Sequence, residues 1–486
     1  MSNNKAAGLD EIPAEVWKNS SLKEPLLAIC NKVLNTNTKP SIWAKSAIIP
    51  IPKKGDLSIT SNYRGISLTC IAAKIFNKML SERIRPYLEP ILRINQNGFR
   101  PGRSTVSQIL VLRRLIEGIK EKNLTAVITF VDFKKAFDSI HRRKMFEILK
   151  AYGLPEKICK AAETLYKDTS AQVLSPDGET YFFEIIAGVQ QGDTLAPFLF
   201  IIMLDYALRT ATSQYEHLGI TLEKRRSSRY PESRLIDTDF ADDLALLSDN
   251  IKDAEKLLHR IEYAAKTIGL HINESKTTYL SYNQKGNIKS LQGKDIENVE
   301  DFQYLGSYIS TTNRDISVRK AKAWTALRKM NTIWSSHLSR NLKIQFFKAT
   351  VESVLLYGSE AWTITQSEQE KLDGCYTRML RAALNVNWYD RITNETLYGS
   401  LPKISKTIKE RRLRFAGHCW RRKDEIISKL LFWDPKHGSR NRGRPVKTYI
   451  DQIEEDTGIN RCDLPALMDD RILWRGLLHD IRASST

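Results

Sequence analysis

Two adjacent aspartates interrupt an alternating stretch in the middle of this chain, and they constrain its fold more than any other feature. The stretch is Leu235-Ile-Asp-Thr-Asp-Phe240-Ala-Asp242-Asp243-Leu-Ala-Leu-Leu247. Its period of two up to the aspartate pair predicts a β-hairpin with both carboxylates at the turn. Adjacent carboxylates repel each other unless a cation neutralises them. An ordinary surface turn is the alternative, because aspartate favours turns for local reasons.

A second apolar segment, Val127-Ile-Thr-Phe130-Val131-Asp132, predicts a strand that ends on Asp132. On the same sheet, Asp132 would lie beside the aspartate pair. Three carboxylates that meet there would hold two Mg²⁺ ions, because Mg²⁺ takes one or two carboxylates and leaves its other positions to waters and phosphates. Two such ions, about 3.5–4 Å apart, clamp the attacking and leaving oxygens of a phosphoryl transfer. Mn²⁺ is the expected substitute.

The order and spacing of several motifs resemble those of reverse transcriptases, above all the enzymes of non-LTR (LINE-type) retrotransposons. The motifs are Asp132 with Phe137-Asp138, Gly188-Val-Gln-Gln191-Gly192-Asp-Thr-Leu-Ala-Pro197, and Phe240-Ala-Asp242-Asp243. A lone Asp-Asp pair is weak evidence, whereas five or six blocks in the right order are strong. The resemblance covers nearly the whole chain. It implies an α+β right-hand polymerase with fingers, a palm with an antiparallel sheet, and a helical thumb.

This resemblance predicts four segments. They are an N-terminal extension (1–45), fingers and palm (46–310), a helical thumb (311–400), and a basic, mostly helical region that binds nucleic acid (401–486). Members of the family usually carry an endonuclease upstream of the polymerase, and residues 1–45 leave no room for one. We therefore expect a fragment, a domesticated copy, or a nicking activity supplied from elsewhere.

The resemblance also assigns roles in the active site. Asp132, Asp242 and Asp243 are expected to hold the metal ions, and Lys276 to protonate the pyrophosphate leaving group. An exposed lysine on a strand is the alternative for Lys276. One difference from many relatives is Phe240, where they have tyrosine; only a hydroxyl is lost, so we expect activity to survive.

Other positions are matched to the nucleotide and the nucleic acid. The nucleotide-binding candidates are Lys53, Arg64, Phe133, Phe137 and Gln191. A bulky ring at Phe137 excludes a 2′-hydroxyl by volume, which selects dNTPs over NTPs. The nucleic-acid-binding candidates are Arg100, Arg103 and Gly306. Each has a structural alternative: a solvated basic hairpin for Lys53 and Arg64, a core position for Phe137, and a connecting loop around Gly98 and Gly102.

Charge and composition support a polyanionic partner. The 486 residues carry a net charge of +19, with a pI near 9.5, which suits nucleic acid or a membrane surface. The longest apolar run, residues 198–204, is too short to span a bilayer. Six scattered cysteines fit reduced thiols. We expect an intracellular protein of the nucleus or cytoplasm that binds an RNA template, a DNA primer or RNA–DNA duplex, and dNTPs, without a membrane or a specific protein partner.

Basic residues dominate the second half of the chain. Residues 311–350 hold nine basic residues against the single acid Asp315, and Trp324 and Trp334 lie among them. We expect this segment to lie along a duplex, with at least one tryptophan in the core. Further on, Arg440-Asn-Arg442-Gly443-Arg444-Pro445 resembles sequences that enter a narrow minor groove, with an exposed basic loop as the alternative. A zinc knuckle is not expected, because no Cys-x-x-Cys spacing occurs near His418 or His437.

The sequence thus predicts an RNA-directed DNA polymerase. One alternative is a domesticated, catalytically idle nucleic-acid-binding protein with a polymerase fold. A second is an RNA-dependent RNA polymerase, which Phe137 disfavours.

Overall fold

The computed structural model describes residues 1–53, 55–440 and 446–483. The fold is α+β, as predicted. Its helices are α1 (Lys23–Thr36), α2 (Ile71–Leu88), α3 (Thr105–Glu121), α4 (Ala136–Ser139), α5 (Arg142–Ala151), α6 (Glu156–Tyr166), α7 (Ala196–Thr212), α8 (Ile251–Thr267), α9 (Thr312–Lys329), α10 (Asn331–Trp334), α11 (Arg340–Phe347), α12 (Ser353–Leu355), α13 (Gln366–Ala383), α14 (Asn394–Tyr398), α15 (Ile404–Arg421), α16 (Ile426–Leu430), α17 (Tyr449–Thr457), α18 (Leu464–Asp469) and α19 (Arg471–Ala483).

The strands form two larger sheets and two hairpins. They are β1 (Lys45–Pro52), β2 (Tyr63–Leu68), β3 (Ala126–Val131), β4 (Ser170–Ser175), β5 (Gly178–Glu179), β6 (Phe183–Glu184), β7 (Ile220–Glu223), β8 (Ser233–Leu235), β9 (Asp237–Phe240), β10 (Asp243–Ser248), β11 (Thr278–Tyr282), β12 (Glu297–Asn298), β13 (Gln303–Tyr304) and β14 (Ser307–Tyr308). The palm sheet has the order β12-β11-β3-β10-β9, and the fingers sheet contains β2-β1-β4-β5, with β6 also paired to β4.

Strand β3 is the centre of the palm sheet and is buried along its whole length. It pairs antiparallel with both β10 and β11. Alternate residues of β3 serve two different cores. Val127 and Val131 pack with α7 and α8, whereas Ile128 and Phe130 pack with α3 on the other face. A strand covered on both faces explains the uninterrupted apolar run in the sequence.

The C-terminal helices share the second core with the palm. Leu413 and Cys419 of α15, Trp474 of α19 and residues of α16–α18 pack in one cluster with α3 and the sheet. Polar contacts also join them, since Arg114 Nη2 of α3 donates to Trp433 O over 2.8 Å. The first residues of helix α15 lie in a different core, because Ile404 and Ile408 pack in the thumb core. A single helix therefore connects the two cores.

The thumb is helical, as predicted, and a buried carboxylate joins it to the palm. Asp315 of α9 is fully buried. Its carboxylate accepts hydrogen bonds from Arg113 Nη2 (2.9 Å), Ser307 Oγ (2.8 Å) and Trp362 Nε1 (2.9 Å). Of the two tryptophans in the basic segment 311–350, Trp334 is a core residue and Trp324 is half-buried.

Some local predictions were wrong or lie outside the described residues. The segment 270–277 is not a strand: only Ile272 forms a bridge, to Phe133, and residues 273–276 form a turn before β11. Asp138 lies within α4, and His141 caps α5. The basic segment 441–445 lies outside the described residues. No helix of the described part of the chain is long and apolar enough to cross a bilayer.

Candidate active site

The three acidic residues of the predicted metal site lie at one edge of the palm sheet. Asp132 follows β3 directly, Asp242 lies in the turn between β9 and β10, and Asp243 is the first residue of β10. The pairing of Val131 with Leu244 is the last in the β3–β10 ladder. Asp132 and Asp243 stand one residue beyond it on facing strands, where cross-strand Cβ atoms are about 4.5–5.5 Å apart. The antiparallel register therefore brings together carboxylates that are far apart in sequence.

The carboxylates also interact electrostatically. Burial, with the negative charges of Asp242 and Asp132, raises the pKa of Asp243 to about 6. Asp243 still reaches solvent, so the protein atoms that line the cleft around it desolvate the carboxylate without enclosing it, and the two like charges add to the rise in its pKa. Burial and Asp132 also raise the pKa of Asp242, and the guanidinium of Arg64 opposes that rise. A cation would relieve the repulsion among the three carboxylates.

This donor set fits divalent cations of the Mg²⁺ type in its chemistry, since hard carboxylate oxygens converge at one end of the sheet. Within the described residues, no three Asp, Glu, His or Cys side chains are already closed into metal-ligating geometry. The observation that supports metal binding is therefore the cluster of like charges and the raised pKa of Asp243.

A turn formed by residues 273–277 fixes Asp132 from the side. The backbone N–H of Asn273 donates to Asp132 O over 2.7 Å, and Asn273 Nδ2 donates to Asp132 Oδ2 over 3.0 Å. Thr277 Oγ1 accepts from the backbone N–H of Asp132 at 3.3 Å. Lys276 lies on this turn and is exposed. Asn273 was missed by sequence reasoning, although its position just after an apolar residue on a predicted neighbouring element was a weak signal.

The turn at Ala241 and Asp242 has strained backbone and is held by a buried glutamine. Ala241 has φ 55°, a conformation that costs a residue with a Cβ about 1–2 kcal/mol. The backbone N–H groups of Ala241 and Gly98 both donate to Oε1 of Gln96, at 2.9 and 2.7 Å, and Gln96 is fully buried. A Cβ on Gly98 would lie 2.2 Å from the Ala241 nitrogen. The loop at 96–98 therefore braces this turn, a role the sequence did not reveal.

Beneath the turn, a buried arginine neutralises aspartates of β9. Arg93 donates from Nη1 to Asp237 (2.6 Å) and from Nη2 to Asp239 (2.5 Å). Its backbone N–H donates to Asp205 of α7 over 2.9 Å. Burial and the charge of Asp237 raise the pKa of Asp239 well above its ordinary value, although Arg93 opposes the rise. Two inward-facing acids on one strand require such a partner, but the sequence did not show which arginine it was.

The basic hairpin of the fingers was predicted correctly as a hairpin. Strands β1 and β2 pair antiparallel, with Ile51 opposite Arg64. Arg64 is exposed, and its charge acts on Asp242. Lys53 follows β1; its backbone N–H donates to Asn62 O over 2.7 Å. The charge of Lys53 acts on Asp138, whose pKa is raised by burial and lowered in part by Lys135 and Lys53. Arg64 thus lies near the acidic edge of the palm, and Lys53 near Asp138 of α4.

The predicted sugar-contacting ring is half-buried on α4, five residues after Asp132. Phe137, on α4, stacks on Phe200 with ring centroids 4.5 Å apart and 14° between the planes. Phe99 contacts it edge to face at 6.2 Å. Phe133, the other aromatic candidate, is buried and its backbone bridges to Ile272. Phe137 therefore presents a fixed ring to the site, whereas Phe133 is a core residue.

The glycine-rich loop connects fingers and palm. This loop is residues 188–197. The backbone carbonyl of Gln191 in it accepts a hydrogen bond from the backbone N–H of Ser67, in β2, at 2.7 Å. Gly192 has φ 111°, and a Cβ there would lie 2.5 Å from Ser67 O. On the other side, the Val189 N–H donates to Phe137 O over 2.7 Å. Gln191 is half-buried and lies between the basic hairpin and the Phe137 ring.

A small hairpin with Gly306 at its turn contacts the acidic edge of the palm from the thumb side. Gly306 has φ 81° and is half-buried. Its carbonyl accepts a hydrogen bond from Arg319 of α9. The hydroxyl of Tyr304, on the same hairpin, donates to Asp243 O over 3.1 Å. This hairpin therefore joins the thumb directly to an acidic residue of the site.

Two nucleic-acid-binding predictions disagree with the structure. The Arg100 side chain is buried, where Nε pairs with Glu89 (2.8 Å) and Nη1 donates to Arg93 O (2.8 Å). The Arg103 side chain is also largely buried, between Asp424 (3.0 Å) and Glu425 (3.5 Å) of the C-terminal region. Both arginines hold the fold together, and neither offers its guanidinium to a phosphate.

Three features together define the class of right-hand polymerases. Carboxylates stand at the ends of paired strands in a sheet, a basic hairpin lies above that sheet, and a helical region lies beside it. Residues 51–309 match the family described as "Reverse transcriptase (RNA-dependent DNA polymerase)". The chain therefore belongs to the reverse transcriptase family. The resemblance to enzymes of non-LTR retrotransposons is confirmed.

Curated relatives come from transposable elements. The chain is 24% identical over 360 residues to the "Retrovirus-related Pol polyprotein from type-1 retrotransposable element R2" of Popillia japonica, which covers 72% of this chain and 48% of that one. It is 23% identical over 469 residues to the "Probable RNA-directed DNA polymerase from transposon BS" of Drosophila melanogaster. This match covers 90% of this chain and 49% of that relative. The chain thus spans about half the length of these relatives.

Among solved structures, the chain is similar to telomerase from Candida albicans in complex with a fragment of telomeric RNA. The TM-score is 0.40 at 11% identity, over 88% of this chain and 69% of that one.

Proposed function

We propose that the protein is an RNA-directed DNA polymerase that adds dNTPs to a primer 3′-end by two-metal phosphoryl transfer, as part of a non-LTR retrotransposon. The observation that carries the proposal is the meeting of Asp132 with the Asp242–Asp243 turn at one edge of the palm sheet. Membership of the reverse transcriptase family supports the same activity.

Two Mg²⁺ ions bound by these carboxylates, or Mn²⁺ in their place, would supply charge stabilisation for the primer 3′-oxygen and the triphosphate. The chain's own contribution is mostly positioning, as in phosphoryl transfer generally. Arg64, which faces Asp242, is suited to a bidentate phosphate contact, and Lys53 to a mobile one. Lys276, on the turn that fixes Asp132, would donate a proton to the pyrophosphate, the role that the family resemblance assigns to it.

Substrate selection follows from the groups around the carboxylates. The stacked and half-buried Phe137 would exclude a 2′-hydroxyl by volume, and Gln191 would contact the nascent base pair. The hairpin with Gly306 would lie against the primer backbone, where a residue without a side chain permits close approach. RNA template and DNA primer are then held mainly through their phosphates, so binding should weaken steeply with salt.

The test is primer extension on poly(rA) with oligo(dT), dTTP and Mg²⁺. The wild-type chain is expected to extend the primer, and Asp242→Ala to lose that activity by at least about a hundredfold, the scale of a lost electrostatic stabiliser. Asp177→Ala, which removes an exposed aspartate at the turn after β4, is the matched control and is expected to remain active. Equal incorporation by Asp242→Ala and wild type would refute the proposal.

Two further conditions test the metal requirement and the choice of nucleotide. EDTA is expected to abolish extension, and Mn²⁺ to restore it. Extension with UTP but not with dTTP would identify an RNA polymerase instead. No extension by wild type under any of these conditions, with retained binding of primed template, would favour a catalytically idle nucleic-acid-binding protein.

A further inference from the structure

A basic groove runs between α15 and α19, on the C-terminal part of the fold. It encloses a cavity of about 860 Å³. A second cavity of about 670 Å³ continues it toward α14 and shares Glu410 and Leu478 with the first. We call these two connected cavities the C-terminal groove. Neither contains a residue of the polymerase site.

The walls of the groove are two helix faces rich in arginine. Helix α15 contributes Arg411, Arg414 and Arg421, whose spacing of three and seven residues places them on one face. Helix α19 contributes Arg471 and Arg475, four residues apart and therefore also on one face. The second cavity carries Lys403, Lys406 and Lys409, but Asp373, Glu395 and Glu410 line it as well. The excess of positive charge therefore belongs to the first cavity.

Carboxylates neutralise only part of this charge. Arg411 Nε donates to Glu360 over 2.9 Å, and Arg414 Nη2 donates to Glu410 over 2.7 Å. For Arg421, Arg471 and Arg475, the described residues contain no carboxylate within ion-pair distance. Arg421 donates instead to the carbonyl of Met468 at 2.7 Å.

The three arginines without a carboxylate act on each other. Burial and the charges of Arg471 and Arg475 lower the pKa of Arg421, and the charge of Asp469 only partly opposes this. Asp469 itself pairs with Lys423 at 3.1 Å. Like charges held together at this cost are expected where an anion completes the site.

The groove has aromatic side chains at its base. Trp474 of α19 is fully buried, and its Nε1 donates to Leu413 O of α15 over 3.1 Å. Gly417 leaves room for that indole, since a Cβ there would lie 2.3 Å from Nε1. Phe415 and the exposed His418 stack at 6.3 Å with 26° between their planes. Ring faces beside guanidinium groups are the combination that binds unpaired bases and their phosphates.

We propose that the C-terminal groove binds a segment of single-stranded nucleic acid outside the polymerase cleft. The unneutralised arginines would contact successive phosphates, and the His418–Phe415 pair would stack a base. A cavity of about 860 Å³ is in the range of clefts for small ligands, roughly 300–1,000 Å³, so it admits a few nucleotides of one strand but not a duplex. This site is separate from the proposed catalytic one and does not depend on polymerase activity.

The experiment measures binding of a labelled 20-nucleotide single-stranded RNA to the full chain by fluorescence anisotropy, without dNTPs, over a series of salt concentrations. The polymerase cleft is first saturated with unlabelled primer–template duplex. The groove variant is Arg471→Gln with Arg475→Gln, both exposed side chains. The matched control is Arg225→Gln with Arg226→Gln, which removes the same charge from an exposed loop.

The groove variant is expected to bind the RNA roughly tenfold more weakly than the control, and to reduce the slope of log K against log salt by about 1.4, that is about 0.7 for each lost phosphate contact. A matching single-stranded DNA arm shows whether the site accepts both sugars; a loss with either strand supports the proposal. Equal affinity and slope in the groove and control variants would overturn it. Weaker binding of duplex DNA with unchanged binding of single strands would also overturn the proposal. Displacement of the bound RNA by polyglutamate at equal charge would do the same.

Because this assay contains no nucleotide substrate, it separates the two proposals. An inactive Asp242→Ala chain is expected to bind the RNA in the groove as wild type does. The groove variant is in turn expected to extend a short primer at the wild-type rate when primer and template are saturating.

Discussion

The backbone N–H of Ala241 donates a hydrogen bond to Oε1 of Gln96 across 2.9 Å, which links the turn of the two aspartates to a loop about 145 residues earlier. The same oxygen accepts from Gly98. One buried side chain therefore satisfies two backbone donors and holds a left-handed alanine in place. The geometry of the acidic residues depends on this contact as much as on the strands.

We predict that Gln96→Leu lowers the rate of nucleotide addition. The leucine fills the space but leaves two buried N–H groups without an acceptor, at about 1–3 kcal/mol each, so the turn can leave its strained conformation. A fall in kcat of at least about tenfold corresponds to about 1.4 kcal/mol of lost transition-state stabilisation. Steady-state extension assays measure it, with the exposed Gln292→Leu as control. Unchanged kcat in a folded Gln96→Leu protein would contradict the bracing role.

Gly98→Ala is predicted to destabilise the folded protein. The new Cβ meets backbone atoms of Ala241, which cannot rotate away as a side chain would. Overpacking of this kind costs about 1–3 kcal/mol of unfolding free energy. Urea denaturation provides the measurement. Gly374→Ala is the matched control, because nothing lies within 4 Å of that Cβ and alanine favours the helix α13 by up to about 1 kcal/mol. Equal midpoints for the two variants would show that the 98–241 contact is loose.

The carboxylate repulsion predicts a pH dependence of stability in metal-free protein. The folded-state pKa of Asp243 is raised to about 6 from 3.8. A raised carboxyl pKa favours the folded state while the group is protonated, and that contribution is lost as the pH rises through about 6. Asp243→Asn should therefore raise Tm at pH 7–8 in EDTA, with a smaller difference at pH 5. Thermal unfolding across this range tests it, and a larger gain at pH 5 than at pH 8 would be the wrong sign.

Replacing the stacked ring is predicted to relax the choice of sugar. Phe137→Ala removes the volume that would meet a 2′-hydroxyl, so the ratio of kcat/KM for dTTP over UTP should fall by at least about tenfold, the lower end of what one small group contributes in a pocket. Phe346→Ala, at a partly exposed phenylalanine of the thumb, is the control. If the two variants discriminate equally, Phe137 is only a packing residue.

Local patterns in the sequence predicted the elements that carry the site. The alternation around Asp242 and the apolar run before Asp132 gave the two strands, because side chains of a strand alternate between two faces. The basic hairpin around Lys53 and Arg64 was also predicted, and it forms as β1 and β2.

Long-range partners could not be predicted in this way. Arg103 forms an ion pair with Asp424, which lies 321 residues later in the chain. No local pattern distinguishes such an arginine from one that binds phosphate. Arg93 and Gln96 were missed for the same reason, since each is explained only by the element packed against it. The functional roles of Lys276, Gln191 and Gly306 are still predictions that rest on the family resemblance.

Helix α15 has a practical consequence for anyone who shortens this protein. Its first turns pack in the thumb core, and its later residues pack against α3 and one face of the palm sheet. An expression fragment that stops at residue 400 would leave Leu112, Ile116 and their neighbours facing water. Such a fragment should aggregate rather than yield a smaller enzyme, so the C-terminal region is a necessary part of the polymerase body and not a detachable appendage.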